Sequence, residues 1–447
     1  MSESERPRVE PRTLKGFRDF TPEVMIAKEA MVDTIRAVLR SFGFVPIDTP
    51  ALEYAEILLG KAGGESDKQV YRFTDQGGRD VALRFDLTVP FARFAAQHVR
   101  TLGVPFKRYH MGPVWRGENT ARGRFREFWQ CDFDTIGTRS PIADLETALV
   151  IDHLLVALGI TRFQIRFSDR AVLGGLLDEL GLAGQATPIL RSLDKLDKLG
   201  PETVRRELER EGGVPAAAVE AIFAFAAETG DPEEVLGRLR RRFAAHAGAQ
   251  AGIERLAAVV AGLSAVGVPA QRYRLDLGLA RGLDYYTGTI FETVLDDEPE
   301  VGSICSGGRY DNLASLYTRD QLPGVGASLG LDRLLDSLQR LGLSTNRGAT
   351  AQVLVAVLEP ARWLEYLRMA EEIRGQGIPA ELYLEERRLD RQLQYANRKG
   401  IPLVVIAGEE EFATGTVAVK DLRTGEQESG VPRPELAGAV ARALKGK

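Results

Sequence analysis

RFREFWQCDFD, residues 124–134, is the stretch from which the fold is read. Side chains on a strand alternate between faces with period two. Phe125, Trp129, Cys131 and Phe133 fall on one face, and Arg124, Arg126, Gln130, Asp132 and Asp134 on the other, with Phe128 beside them. A solvated sheet face is one explanation of this alternation. The other is a polar floor, with cations at one end and carboxylates at the other. Such a floor suits a substrate that carries both an anion and a basic group.

Outward from this strand, 107–116 reads as its partner, joined to it by a Gly-containing loop that holds Glu118. The hairpin brings Arg116 and Arg124 together. Guanidinium forks match phosphate oxygens bidentately and stay charged at physiological pH, although two arginines in one hairpin are also common by chance. Residues 69–73 and 81–85 flank TDQGGRD (74–80) as a second hairpin. Two hairpins imply an antiparallel sheet rather than a doubly wound parallel one.

Residues 1–20 are polar and Pro-rich and read as a loose arm. Thr21-Pro22-Glu23 is a helix start, with a capping hydroxyl, Pro at the first position and an acid in the first turn; Gly43 ends that helix. A helix is expected over 144–157, a mostly helical insert over about 170–265, strands at 271–277 and 287–295, and a helix near 330–341. After the polar linker 344–349, strand and helix patterns alternate as in a separate small α/β domain. The expected division is a catalytic domain in two parts, 1–170 and 266–343, a helical insertion at 171–265, and a C-terminal domain at 350–447.

Two further polar groups stand out. RGLDYYTG (281–288) joins two strands. Adjacent tyrosines in an extended chain point to opposite faces, so one of Tyr285 and Tyr286 is expected to line a pocket and the other to pack; an ordinary surface turn is the alternative. GVGASLGLDR (324–333) offers close backbone approach and a helix N-terminus for an anion, with Arg333 near the helix start; a packing turn is the alternative. It lacks the dinucleotide spacing, and no G-x-x-x-x-G-K-[ST] occurs in the chain.

With 447 residues, 44% hydrophobic and 27% charged, the chain is globular in composition, and two to four domains are expected. Cys131 and Cys305 are the only cysteines, which excludes a disulfide scaffold and fits a reducing cytoplasm. No apolar run reaches the ~20 residues of a bilayer span, and the N-terminus has no apolar signal core. Four dispersed histidines give no metal-ligand spacing. A net charge of −5 argues against wholesale coating by nucleic acid and leaves room for local basic surface, such as Arg238, Arg240, Arg241 and Arg242.

Read together, these segments resemble the class II aminoacyl-tRNA synthetases, and within them the histidyl-tRNA synthetase family. YHMGPVWRGENTARGRFREFWQCDFDTIG (109–137) is similar to the second class-defining motif, and GASLGLDRL (326–334) to the third. Pro50 sits where the first motif's dimer-interface proline is expected. RGLDYYTG, LRFDLTVP (83–90) and GGRYDNL (307–313) resemble family-specific stretches, and 392–427 resembles the anticodon-binding domain. The resemblance runs from about residue 13 to the end.

The resemblance implies an α+β catalytic domain, with an antiparallel sheet flanked by helices, that activates L-histidine with ATP and Mg²⁺ and transfers it to the 3′ end of tRNA(His). The implied enzyme is a cytoplasmic homodimer with no membrane association. Asp86, Thr88 and Gln130, with Leu87 between the first two, would hold the α-ammonium. Asp134 and Tyr286 would read the imidazole, with Tyr285 close by. Arg116 and Arg281 would contact the carboxylate and the α-phosphate, Arg124 and Arg333 the outer phosphates, and Glu118 the adenine end. No dedicated protein ligands for a metal are implied. The attacking carboxylate is already ionised at pH 7, so the work falls to fixed cations rather than to a general base. A carboxylate and a phenol serving the two imidazole nitrogens make editing unnecessary. The helical insert, through its arginine cluster, is expected to meet the acceptor arm; a solvated helix face is the alternative. Competing readings are a non-catalytic regulatory subunit of histidine biosynthesis, a synthetase for another amino acid, and an RNA-binding scaffold.

Overall fold

The computed structural model describes residues 9–60, 69–120, 124–280, 285–344 and 348–446. Contacts divide the described chain into two units, one formed by the residues up to 18 with 32–343, the other by 19–31 with those from 344 onward. The strands of the first unit are β1 (Val45–Pro46), β2 (Leu52–Tyr54), β3 (Arg72–Thr74), β4 (Asp80–Leu83), β5 (Phe106–Trp115), β6 (Glu127–Ile136), β7 (Phe163–Asp169), β8 (Tyr273–Leu275), β9 (Thr289–Leu295), β10 (Ser303–Tyr310) and β11 (Gly324–Gly330).

Eight of these form one sheet in the order β1-β5-β6-β11-β10-β9-β7-β8. Its inner pairs are antiparallel, as the hairpin reading expects, and only the edge pairs β1–β5 and β7–β8 are parallel. The second expected hairpin is β3–β4, which joins β2 in a small antiparallel sheet. Its turn is set by Asp75, whose Oδ1 accepts from the backbone N–H groups of Gly77 and Arg79 at 2.9 Å. Helices Pro141–Ala157, Ala247–Ala265 and Arg170–Glu179 pack on one another beside the main sheet. The chain between β7 and β8 is helical, from Arg170–Glu179 to Ala247–Ala265.

The stretch 324–330, for which close backbone approach or a packing turn is expected, is a strand, β11, and Gly307 and Gly308 lie in β10; both strands are at the centre of the main sheet. Glycine is required there by close approach rather than by a bend. A Cβ at Gly326 would lie 2.2 Å from Asp134 Oδ1 and 2.4 Å from the Phe133 carbonyl oxygen, and one at Gly307 would lie 2.1 Å from the Gly326 carbonyl oxygen. Because backbone cannot step aside, Gly326→Ala should destabilise the protein by at least the ~1–3 kcal/mol of ordinary overpacking. A thermal melt within a degree of wild type would show that β11 has slack.

The second unit carries a five-stranded sheet in the order 380–382, 353–355, 403–406, 416–421, 427–432. The last strand (Gln427–Pro432) lies beyond the strands read from the sequence; its residues are mostly exposed, so no apolar alternation marks it. Val353, Tyr366, Leu403, Val417 and Leu436 are in the core of this unit. Among the described residues no helix is long and apolar enough to cross a membrane.

Candidate active site

The polar face of β6 forms part of the lining of a cavity of about 1230 Å³. The same cavity is lined by the turn before helix Thr88–Leu102, by Arg116 just past β5, by Tyr285 and Tyr286, by β9 and β10, and by helix Leu331–Arg340. Of the residues singled out from the sequence, Asp86, Thr88, Arg116, Arg124, Gln130, Tyr285, Tyr286 and Arg333 line it together. Arg281 lies outside the described residues. Leu87, Glu118 and Asp134 are not part of the lining.

The acidic side is built from buried acceptors. Asp86 is 3% exposed, and its Oδ1 accepts from the Val89 N–H at 3.0 Å. Gln130 donates through Nε2 to Ser328 Oγ at 2.7 Å, and Thr88 Oγ1 donates to Asp132 Oδ2 at 3.1 Å. Asp86 Oδ2, Gln130 Oε1 and Asp132 Oδ1 are buried and accept no hydrogen bond from the described residues. Buried acceptors are normally satisfied. Three unsatisfied ones, on side chains that line one cavity, match a charged group with several N–H donors. Burial pushes the Asp86 carboxyl up to about 7, against a smaller downward pull from the Val89 N–H. Burial also raises Asp132, opposed by Arg108.

Asp132 was seen in the sequence as part of the polar face but given no role. The signal was there, since 130, 132 and 134 share one side of β6. Asp134, expected to face the imidazole, is occupied from behind. Its Oδ1 accepts from the Tyr310 hydroxyl at 2.6 Å, and its Oδ2 lies 2.7 Å from the Arg108 guanidinium. Burial raises it to about 6 against the pull of Arg108. Leu87 is fully buried and offers only its carbonyl, to Arg108 at 3.3 Å.

Both tyrosines line the cavity, where the reading expected one. The reason is local: β9 begins only at Thr289, so 285–286 is not extended strand and the alternation rule does not apply. Their rings meet edge-to-face at 5.0 Å, and Tyr285 meets Tyr310 likewise at 6.0 Å. Burial raises both phenols, so they remain neutral donors.

The cationic side comes from three elements. Arg116 donates from Nε to the Phe85 carbonyl at 2.9 Å, and its guanidinium lies 5.1 Å from the Phe128 ring centroid. Arg124 pairs with Glu118 at 3.5 Å, and Arg333 donates to the Ser303 carbonyl at 2.5 Å. The N-terminal arm is not loose where it meets this region. The Gly16 carbonyl accepts from the Arg126 N–H at 2.8 Å, and Arg18 lies 3.2 Å from Asp332 and 3.9 Å from the Phe125 ring centroid. In the helical insert, Arg238, Arg240 and Arg242 are paired with Glu228, Glu254 and Glu179 at 2.6, 2.8 and 3.1 Å. An RNA phosphate would have to displace those carboxylates.

Comparison with known proteins places the chain in a family. The family model described as histidyl-tRNA synthetase matches residues 16–334, and that of an anticodon binding domain matches 352–442. A histidine–tRNA ligase of Rhodopirellula baltica is 51% identical over 437 residues, covering 98% of this chain and 99% of that protein. One of Wolinella succinogenes is 45% identical over 425 residues, covering 95% and 96%. The crystal structure of histidyl-tRNA synthetase from a Nostoc species superposes with a TM-score of 0.87 at 35% identity, over 97% of this chain and 100% of that one.

Proposed function

This chain belongs to the histidyl-tRNA synthetase family, and we propose from that premise that it joins histidine to tRNA(His) in two steps within the cavity of β6. In the first, the histidine carboxylate attacks the α-phosphorus of ATP and pyrophosphate leaves, giving histidyl-adenylate. In the second, a ribose hydroxyl at the tRNA 3′ end attacks the acyl carbon and AMP leaves. The observation that carries the reading is the set of three open buried acceptors, on Asp86, Gln130 and Asp132, lining one cavity with Arg116, Arg124 and Arg333. An α-ammonium supplies three N–H donors and a positive charge to the first set, and phosphates supply anions to the second.

Arg116 and Arg281 stabilise the charge that builds on the α-phosphoryl group, while Arg124 and Arg333 hold the outer phosphates and Glu118 meets the adenine end. Tyr286 serves the imidazole together with Asp134, whose oxygens already face Tyr310 and Arg108 and would accept from the ring through a remaining lone pair. Among the described residues no three His, Cys, Asp or Glu side chains are grouped to hold a metal. Mg²⁺ is assigned to the nucleotide's own phosphates, and no residue is given to it. Residues 171–265 act as an insertion in a catalytic domain made of 1–170 and 266–343, and 350–447 reads the anticodon. The two cysteines are free and buried, in keeping with a reducing cytoplasm. A homodimer is supported by Leu52, Tyr54 and Phe73, large apolar side chains 40–50% exposed on β2 and β3 near Pro50; sedimentation at twice the chain mass is the expected result.

The decisive assay is ATP–pyrophosphate exchange with each amino acid supplied singly. Exchange with histidine alone is expected. Absence of exchange, together with tight binding to an enzyme of histidine biosynthesis, would turn the reading to the regulatory subunit.

A further inference from the structure

Arg108 is the largest fully buried side chain that carries a charge, and it does not line the cavity. It sits on β5 directly across from Asp134 on β6. Its Nη2 lies 2.7 Å from Asp134 Oδ2 and donates to the Leu87 carbonyl at 3.3 Å; its Nη1 donates to the Asp132 carbonyl at 3.2 Å. The guanidinium carbon lies 4.2 Å from the centroid of the Phe91 ring, on the helix that follows the turn. One rigid fork thus joins β6 to the turn whose residues on either side of Leu87 are Asp86 and Thr88.

Resting on the histidine-activation reading, we propose that Arg108 is a positioning residue for the amino acid: it sets the spacing between the turn that carries Asp86 and the strand that carries Gln130 and Asp132, and it orients Asp134, without touching substrate. A stem-only residue could not do this. Two backbone carbonyls and a carboxylate from separate segments need several donors in fixed geometry, which a guanidinium supplies and an ammonium does not. Removing a partner from a buried arginine is costly, and the two terminal nitrogens are the ones engaged here, while Nε has no hydrogen-bond partner among the described residues.

The ionisable groups around the pair are few. Asp134 faces Arg108, the Tyr310 hydroxyl from β10, Asp132 on its own strand and the phenol of Tyr286. On the turn side stand Asp86 and Arg116, and on β5 itself His110. Arg108 lowers the proton affinity of Asp86, Asp132 and Asp134 alike. Its removal therefore leaves those carboxyls protonated to higher pH.

The test compares wild type, Arg108→Lys and Arg108→Leu in histidine-dependent pyrophosphate exchange, with melting curves as the control for folding. For Arg108→Lys the histidine KM should rise about ten- to a hundredfold, the cost of misplacing groups by about 1 Å, with the ATP KM changed less than about threefold and the acid limb of kcat/KM for histidine unmoved. For Arg108→Leu the acid limb should also move to higher pH. A folded Arg108→Lys protein with an unchanged histidine KM overturns the proposal, as does failure of both variants to fold, which would make Arg108 a folding residue alone. Absence of histidine-dependent exchange in wild type would instead overturn the reading on which it rests.

Discussion

Replacing Arg116 with alanine should slow histidyl-adenylate formation in a single turnover by about 10²–10³-fold, the 2.7–4 kcal/mol that one transition-state donor contributes. The side chain is set for that task before substrate arrives. Its Nε is committed to the Phe85 carbonyl at 2.9 Å, which aims the fork and, among the described residues, leaves its two terminal nitrogens for a ligand. The carboxylate of histidine and the phosphates of ATP are both anions, and their approach is opposed until a fixed cation stands between them. Arg116→Lys should recover only part of the rate, because an ammonium restores charge without the bidentate fork. The amino-acid KM should change less than the rate, since Asp86, Gln130 and Asp132 are untouched. A loss of less than about threefold, far below the effect of a lost oxyanion-type donor, would remove Arg116 from the chemistry. The same size of loss is expected for Arg281→Ala.

Asp86→Asn should raise the histidine KM by about 30-fold to several thousandfold, the 2–5 kcal/mol of breaking a buried hydrogen-bonded charge pair. Burial holds the Asp86 carboxyl near 7 when no ligand is bound, well above its ordinary 3.8. The folded-state value is raised, so the stability linked to this group is fully present below 3.8 and is lost as pH rises through about 7. The free protein should therefore lose thermal stability from this source as pH rises from about 4 to about 7. An ammonium beside Asp86 reverses the preference, because it favours the anion. The rise in melting temperature caused by saturating histidine should grow over the same window. In Asp86→Asn both trends should weaken, leaving the part that Asp132 and Asp134 contribute. A stability profile of the free protein that is the same in Asp86→Asn and wild type between about pH 4 and 7 would show that Asp86 does not titrate there.

Much of this site was legible from residue order. Alternation over 124–134 placed Gln130, Asp132 and Asp134 on one face, and the hairpin partner at 107–116 emerged as β5. Other features resisted reading for identifiable reasons. Glycine signals both a turn and close backbone approach, and only the folded sheet shows that at Gly307 and Gly326 it is the second, because a neighbouring backbone leaves no room for a Cβ. Tyr285 and Tyr286 broke the alternation rule because the strand begins three residues after Tyr286. Arg108 carried no motif. Only the register that sets it opposite Asp134 reveals its partner, and a shift of one residue would turn it to the other face.

The order of residues by itself determined the chemical kinds at work here: arginines for phosphates, acidic and amide oxygens for an ammonium, and an antiparallel sheet to carry them. The tertiary structure alone decided which oxygens remain open. Asp134 spends one oxygen on the Tyr310 hydroxyl and the other on the Arg108 ion pair, whereas Asp86, Gln130 and Asp132 each keep one that accepts no hydrogen bond and faces no ion pair among the described residues. Hydrogen-bonding capacity belongs to a residue type, but its occupancy depends on which distant segments fold against it.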